Sequence, residues 1–212
     1  MHLPKILKPL YSDRIIRLGK SNDGGYLVDE RDVLQTKQLL SFGIGADSSF
    51  EEQFVSIANC DVKAFDENAN VDDFRVVRSN VSRDGFNGSI PISNIDFCEG
   101  TFLKCDIDGG EYEILDHLID VSDRLTGMVL EFHGISQYAF FNEMTSFIAK
   151  TSLKLLHTHP NNYSYIDNNG TYIPDVIELT LSSQNLKTGE VYLPHRLDMT
   201  NNPADEDFEL TF

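Results

Sequence analysis

Short apolar runs alternate along this chain with segments whose apolar residues recur at helical spacing. Residues 38–43 (QLLSFG) are an apolar run closed by a glycine. In the next segment, 49–58, Phe50, Phe54, Val55 and Ala58 lie on one helical face, and Ser48 with Glu51 or Ser49 with Glu52 fits a capping box. Further strands are predicted at 61–65 (DVKAF), 74–77 (FRVV), 101–107 (TFLKCDI) and 126–132 (TGMVLEF). Helices are predicted at 110–119 and 140–150. Two last strands, 153–157 (LKLLH) and 175–181 (DVIELTL), are separated by an Asn- and Gly-rich stretch with no helical pattern. A parallel crossover needs a helix and a hairpin does not, so this pair is expected to be antiparallel, at one edge of an otherwise parallel sheet. Upstream, 15–18 and 26–28 read as two short strands joined by the turn signal KSNDGG.

Composition narrows the function classes. At 212 residues, with 41% apolar and 24% charged positions, the chain suits one globular domain. Seventeen basic against 34 acidic residues leave a net charge of −17. Such a field repels nucleic acid and anionic membrane surfaces, whose binding depends on basic side chains. No apolar run is long enough to span a bilayer, and the N-terminus lacks the apolar core of a signal peptide. The cysteines, Cys60, Cys98 and Cys105, are odd in number and without CxxC spacing. A reducing, cytoplasmic location is therefore expected.

Four patterns carry candidate chemistry. In SFGIGADSSFEE, Gly43 and Gly45 fall between a strand and a capped helix, an arrangement that turns amide N–H groups toward a ligand and that also serves ordinary tight turns. Asp66 closes the next strand, 23 residues after Gly43, where an acid accepts hydrogen bonds from ribose hydroxyls. Three i, i+2 pairs then close successive strands: Asp106 with Asp108, Glu131 with His133, and His157 with His159. Members of such a pair share one face of an extended segment, and the carboxyl edge of an open α/β sheet is where ligands bind. The three pairs are thus expected to converge. They suit either a histidine base, His133 or His159, taking a proton from a hydroxyl, or a divalent metal held among Asp106, Asp108, Glu131, His133, His157 and His159. The fourth pattern is DGGEYEIL, whose Glu111 falls in a first helical turn, where the dipole favours acids.

Taken in order, SFGIGADSSFEE, AFDEN, FLKCDIDGGEYEIL and MVLEFHGI resemble the FkbM-like family of S-adenosylmethionine-dependent methyltransferases. RLGKSNDGGYLV, LLHTHPNN, PDVIELTL and LPHRLDMTNNP look like its flanking blocks, so the resemblance runs from Arg17 nearly to the end. It implies a class I methyltransferase (Rossmann-like) fold: a seven-stranded, mostly parallel sheet with an inserted antiparallel last strand and helices on both faces. It also implies one domain over 1–212, with an N-terminal lid at 1–37, a core at 38–182 and a tail at 183–212. Gly43, Gly45 and the Asp47–Ser49 turn would approach the methionine part of the cofactor, Asp66 its ribose, and Asp106 the amino group or the acceptor. Asp23, Gly24, Gly25 and Tyr26 would lie over the pocket. Two departures stand out: Ser41 replaces the acid common two residues before the first glycine, and Asp47 replaces a third glycine, which makes Asp47 a candidate partner for the ammonium group. The implied activity is O-methylation of a saccharide or other small hydroxylated acceptor. His133 or His159 would be the base, and Asp106, Asp108 and Glu131 would orient the acceptor or a metal. A metal-dependent hydrolase or lyase built on the same acids and histidines, and a non-catalytic cofactor- or carbohydrate-binding module, are the alternatives.

Overall fold

The computed structural model describes residues 1–71, 75–168 and 171–212. A hairpin of β1 (Ile15–Gly19) and β2 (Gly25–Asp29) leads into α1 (Glu30–Gln35), β3 (Gln38–Phe42), α2 (Ser49–Ala58) and β4 (Asp61–Phe65). Three two-residue strands follow, β5 (Val76–Val77), β6 (Val81–Ser82) and β7 (Ile90–Pro91). Then come β8 (Thr101–Cys105), α3 (Glu111–Val121), β9 (Leu125–His133), α4 (Tyr138–Lys150), β10 (Lys154–Asn168) and β11 (Thr171–Ser182). Of the strand expected at 74–77, Phe74 lies outside the described residues and Val76–Val77 is β5.

Seven strands form one sheet in the order β10-β11-β9-β8-β3-β4-β5. β5, β4, β3, β8 and β9 run parallel, and β11 is antiparallel to both β9 and β10. This is the α/β architecture expected, with the last strand inserted between its two predecessors. The closing hairpin is much longer than the periodicity suggests. β10 and β11 run on through the Asn- and Gly-rich stretch, and Tyr163, Tyr165, Ile166 and Tyr172 along it are exposed. An arm whose side chains meet solvent needs no apolar alternation, so its pairing left no periodic signal.

Alternation decides what each face buries. Leu40, Phe42, Leu103, Cys105, Met128, Leu130, Phe132, Ile177 and Leu179 pack in one cluster with Ile114, Leu115 and Leu118 of α3 and Met144 and Phe147 of α4. On the other face Leu39, Phe102 and Val129 pack with Leu18, Tyr26 and Val28 of the hairpin, Val33 of α1 and Phe50 and Phe54 of α2. Two residues further along each strand of that second face, the apolar residue gives way to a polar one: Ser41, Lys104 and Glu131, all buried. Glu178 of β11 stands directly opposite Glu131, and His159 of β10 directly opposite Glu178. The face is apolar toward the amino ends of the strands and ionisable toward the carboxyl ends. No helix among the described residues is long and apolar enough to cross a membrane.

Candidate active site

The strand-to-helix turn after β3 is shaped by two glycines in the left-handed region, Gly43 (φ 76°) and Gly45 (φ 60°). A Cβ at Gly43 would fall 1.6 Å from the Asp106 carbonyl oxygen, so only glycine lets the turn lie against the end of β8. Asp66, one residue past β4, accepts hydrogen bonds from the amides of Ile44 (3.0 Å) and Gly45 (2.8 Å) on Oδ2, and from Asn68 (2.7 Å) on Oδ1. The loop amides expected to face a ligand are thus satisfied by Asp66. The glycine turn and the acid are one bonded unit. α2 is capped by Asp47, whose Oδ1 accepts the Ser49 amide at 2.8 Å, in place of the expected capping box; Ser48 Oγ donates to Glu52 instead. Against the pull of burial, hydrogen bonds from Ser49 and Lys20 hold the Asp47 carboxyl below its usual range. With Lys20 Nζ 3.3 Å away, Asp47 already has its cation and is not a free seat for an ammonium group.

This turn borders a cleft of about 930 Å³ at the carboxyl edge of the sheet, within the range of small-molecule sites. Gly43, Ile44, Gly45, Asp47, Asp66, Lys104, Asp106 and Asp108 line it from the sheet side. Asp23, Gly24 and Tyr26 of the N-terminal hairpin line the opposite side, whereas Gly25 is covered by the Arg17 guanidinium and Ser49 does not reach the cleft.

Lys104 lines the cleft, and Glu51, read from the sequence only as a capping-box candidate, is buried behind it. Lys104 Nζ donates to the Gly43 carbonyl and lies 3.7 Å from Glu51 Oε1. Ser41 Oγ donates to the same Glu51 oxygen at 2.5 Å, and Glu51 Oε2 is buried with no hydrogen-bond partner. A buried carboxylate oxygen without a partner is costly. The signal was the Ser41 substitution itself. Where the resemblance expects an acid, Ser41 instead donates to a carboxylate in the first turn of α2.

The acid and histidine pairs divide. Ligand atoms of Asp106, Asp108 and His133 lie within 4.8 Å of one another, a group able to hold a cation; Glu131, His157 and His159 are not part of it. Tyr26 Oη lies 3.3 Å from Asp106 and 3.5 Å from Glu131, bridging the two. Burial pushes both carboxyls up, Asp106 against the pull of Lys104 and His133, and Glu131 further, with Asp106 and Glu178 adding to the effect. His133 sits at the end of β9, its Nδ1 3.3 Å from Glu111 Oε1 and its Nε2 3.8 Å from Asp108 Oδ1. Burial opposes its charge, but Glu111, Asp106 and Asp108 outweigh this and hold the imidazole above its ordinary pKa.

His157 and His159 do not close their strand as expected, since β10 runs on to Asn168. Both are buried beneath the C-terminal tail. His157 Nε2 pairs with Asp198 at 3.1 Å. His159 has Glu178 on Nδ1 (3.2 Å) and Asp207 on Nε2 (3.0 Å), so neither ring nitrogen is free to take a proton from an acceptor.

The chain matches no protein-family model and no curated protein sequence. Among solved structures it is similar to a precorrin-6y C5,15-methyltransferase from Geobacter metallireducens (13% identity, TM-score 0.42), with 72% of this chain and 85% of that chain covered. It is also similar to a candidate methyltransferase from Thermoplasma acidophilum (10% identity, TM-score 0.38, 74% and 72% covered). A third likeness is to a candidate methyltransferase from Streptococcus mutans in complex with SAH (11% identity, TM-score 0.36, 72% and 93% covered). At such scores these likenesses carry no argument, and the fold assignment rests on the strand order itself.

Proposed function

We propose that this protein is an S-adenosylmethionine-dependent methyltransferase acting on a hydroxyl of a saccharide or other small molecule. The observation that carries the reading is the glycine turn after β3 bonded to Asp66 at the end of β4, on the rim of the cleft. It agrees with the family resemblance in the motifs and with an antiparallel last strand inserted in the sheet. The residues fit the cofactor in size and in charge. Asp66 keeps one acceptor position on Oδ1 for a ribose hydroxyl. Lys104 at the cleft, with Glu51 buried behind it, would be the pair to seat a zwitterionic amino-acid end. In this reading residues 1–37 are the lid, 38–182 the core and 183–212 the tail of one domain.

When bound, the cofactor supplies an electrophilic methyl group on a sulfonium. The protein's part is to position the acceptor and to remove its proton. Asp106 orients the acceptor hydroxyl from the cleft wall, with Glu131 behind it through Tyr26. His133, beside Asp108, takes the hydroxyl proton on Nε2 and so leaves the acceptor oxygen as a nucleophile. His159 belongs to the scaffold in this scheme. The trio Asp106, Asp108 and His133 favours a second reading, in which a divalent cation at these side chains lowers the acceptor hydroxyl pKa.

Calorimetric titration with S-adenosylhomocysteine is expected to give saturable binding, and a flat titration overturns the proposal. Labelled S-adenosylmethionine is then expected to transfer methyl to members of a panel of hydroxylated small molecules and saccharides. Loss of transfer on chelation, restored by added metal, selects the cation variant.

A further inference from the structure

Glu111 opens α3, a position where an acid ordinarily faces water near the helix dipole, yet it is 0% exposed. Burying a carboxylate costs several kcal/mol unless hydrogen bonds replace its water. Here Oε1 accepts the His133 amide at 2.7 Å and Oε2 accepts the Gly109 amide at 2.9 Å. Those two bonds alone would make Glu111 a loop brace. A third contact goes to the imidazole, with His133 Nδ1 3.3 Å from the same Oε1. Both carboxylate oxygens already accept amide hydrogens, so the group acts as an acceptor and the facing ring nitrogen must be the donor. That leaves Nε2 as the lone-pair nitrogen of the neutral ring, on the side of Asp108 and Asp106.

The rest of the local structure reinforces this aim. Asp108 (φ 52°) and Gly109 (φ 97°), two successive left-handed residues, swing the start of α3 beneath the end of β9. Tyr112 Oη donates to the His133 carbonyl at 2.7 Å and stacks on Phe140 with ring centroids 4.5 Å apart. The His133 backbone is therefore held at its N–H by Glu111 and at its carbonyl by Tyr112. The ring is oriented by the same carboxylate that pins its amide.

We propose that Glu111 is a positioning residue that holds His133 as its Nδ1–H tautomer and so presents Nε2 as the proton acceptor beside Asp106 and Asp108, which line the cleft. This rests on His133 being the base of the proposed methyl transfer. The ionisable groups facing the ring are Glu111 on α3 and Asp106 and Asp108 on the loop after β8. Of these, Glu111 is the one bonded to Nδ1.

The direct test is a long-range ¹H–¹⁵N correlation spectrum of histidine side chains in the full chain, recorded on the alkaline side of the His133 titration. His133→Gln assigns the signals. In the wild-type protein His133 is expected to show a protonated Nδ1 and an unprotonated Nε2, and an Nε2–H tautomer overturns the proposal. In Glu111→Gln the Nδ1–H preference is expected to weaken, and kcat for methyl transfer to fall about 10- to 100-fold, by analogy with partners that orient metal-bound histidines. The KM for the methyl donor is expected to stay unchanged, and an unaltered tautomer in this variant also overturns the proposal. Should Glu111→Gln fail to fold, the wild-type spectrum decides by itself. The predicted tautomer in a protein that binds no S-adenosylhomocysteine supports the positioning assignment and overturns the methyl-transfer reading alone.

Discussion

At the scale of single residues, the site is a set of exchanges between positions. The carboxylate of Glu51 on α2 receives the Ser41 hydroxyl of β3 and faces Lys104 of β8. If this pair seats the amino-acid end of the methyl donor, its removal has a selective effect. Glu51→Gln with Lys104→Met deletes both charges together and leaves no buried ion uncompensated. Affinity for S-adenosylhomocysteine is expected to fall about tenfold or more, since a hydrogen bond to a charged group is worth about 1.5–3 kcal/mol. Affinity for 5′-methylthioadenosine, which lacks that end, should not change. Calorimetry with both compounds checks this, and an equal loss for both contradicts the role. Gly43, Gly45 and Asp66 were legible because backbone geometry and strand-end chemistry are local. Glu51 and Glu111 were not, because each owes its role to a partner on another element.

At the scale of elements, the strand ends account for which acids and histidines meet. β9 stops at His133, one residue past its predicted end, but β8 stops at Cys105, two residues short, so Asp106 and Asp108 lie on the turn after it rather than on an extended strand and meet His133 beside the cleft. β10 continues past its histidines, and the tail from Ser183 onward covers them with Asp198, Asn201 and Asp207. The His159 imidazole, held between Glu178 and Asp207, has its pKa well above the ordinary value, because those two carboxylates outweigh the burial that opposes its charge. His159→Gln removes the charge and leaves two carboxylates without their cation. A loss of about 3–5 kcal/mol in stability is expected by chemical denaturation. S-adenosylhomocysteine should still bind the folded fraction, and loss of binding with intact stability would return His159 to the site. The long arm of β10 and β11 escaped the periodicity for a related reason. Its pairing is satisfied by backbone hydrogen bonds, which do not depend on an apolar period.

At the scale of the whole molecule, an acidic chain stores part of its pH response in one buried carboxyl. Asp32 of α1 is 1% exposed, has one oxygen without a partner, and is pushed up to about 6 by burial, against hydrogen bonds from Ser182 and Gln184. The folded state therefore holds this proton more tightly than the unfolded chain. Its cost is absent below 3.8, grows as pH rises toward about 6, and is fully present above. Asp32→Asn should stabilise the protein relative to wild type above that window, by about 3 kcal/mol at most, and by progressively less below it. Denaturation curves across the window check the difference, and a constant offset at all pH values contradicts it. The sequence by itself determined the α/β alternation, the glycine turn, the acid one strand away and the antiparallel ending, because each depends on side-chain period or on the conformations open to nearby residues. The tertiary structure alone decided that His133 stands beside the cleft-lining Asp106 and Asp108 while His159 is buried under the tail. It likewise decided that Lys104 meets Glu51 and that Glu111 turns inward to the His133 imidazole, since these contacts depend on how elements far apart in the chain pack together.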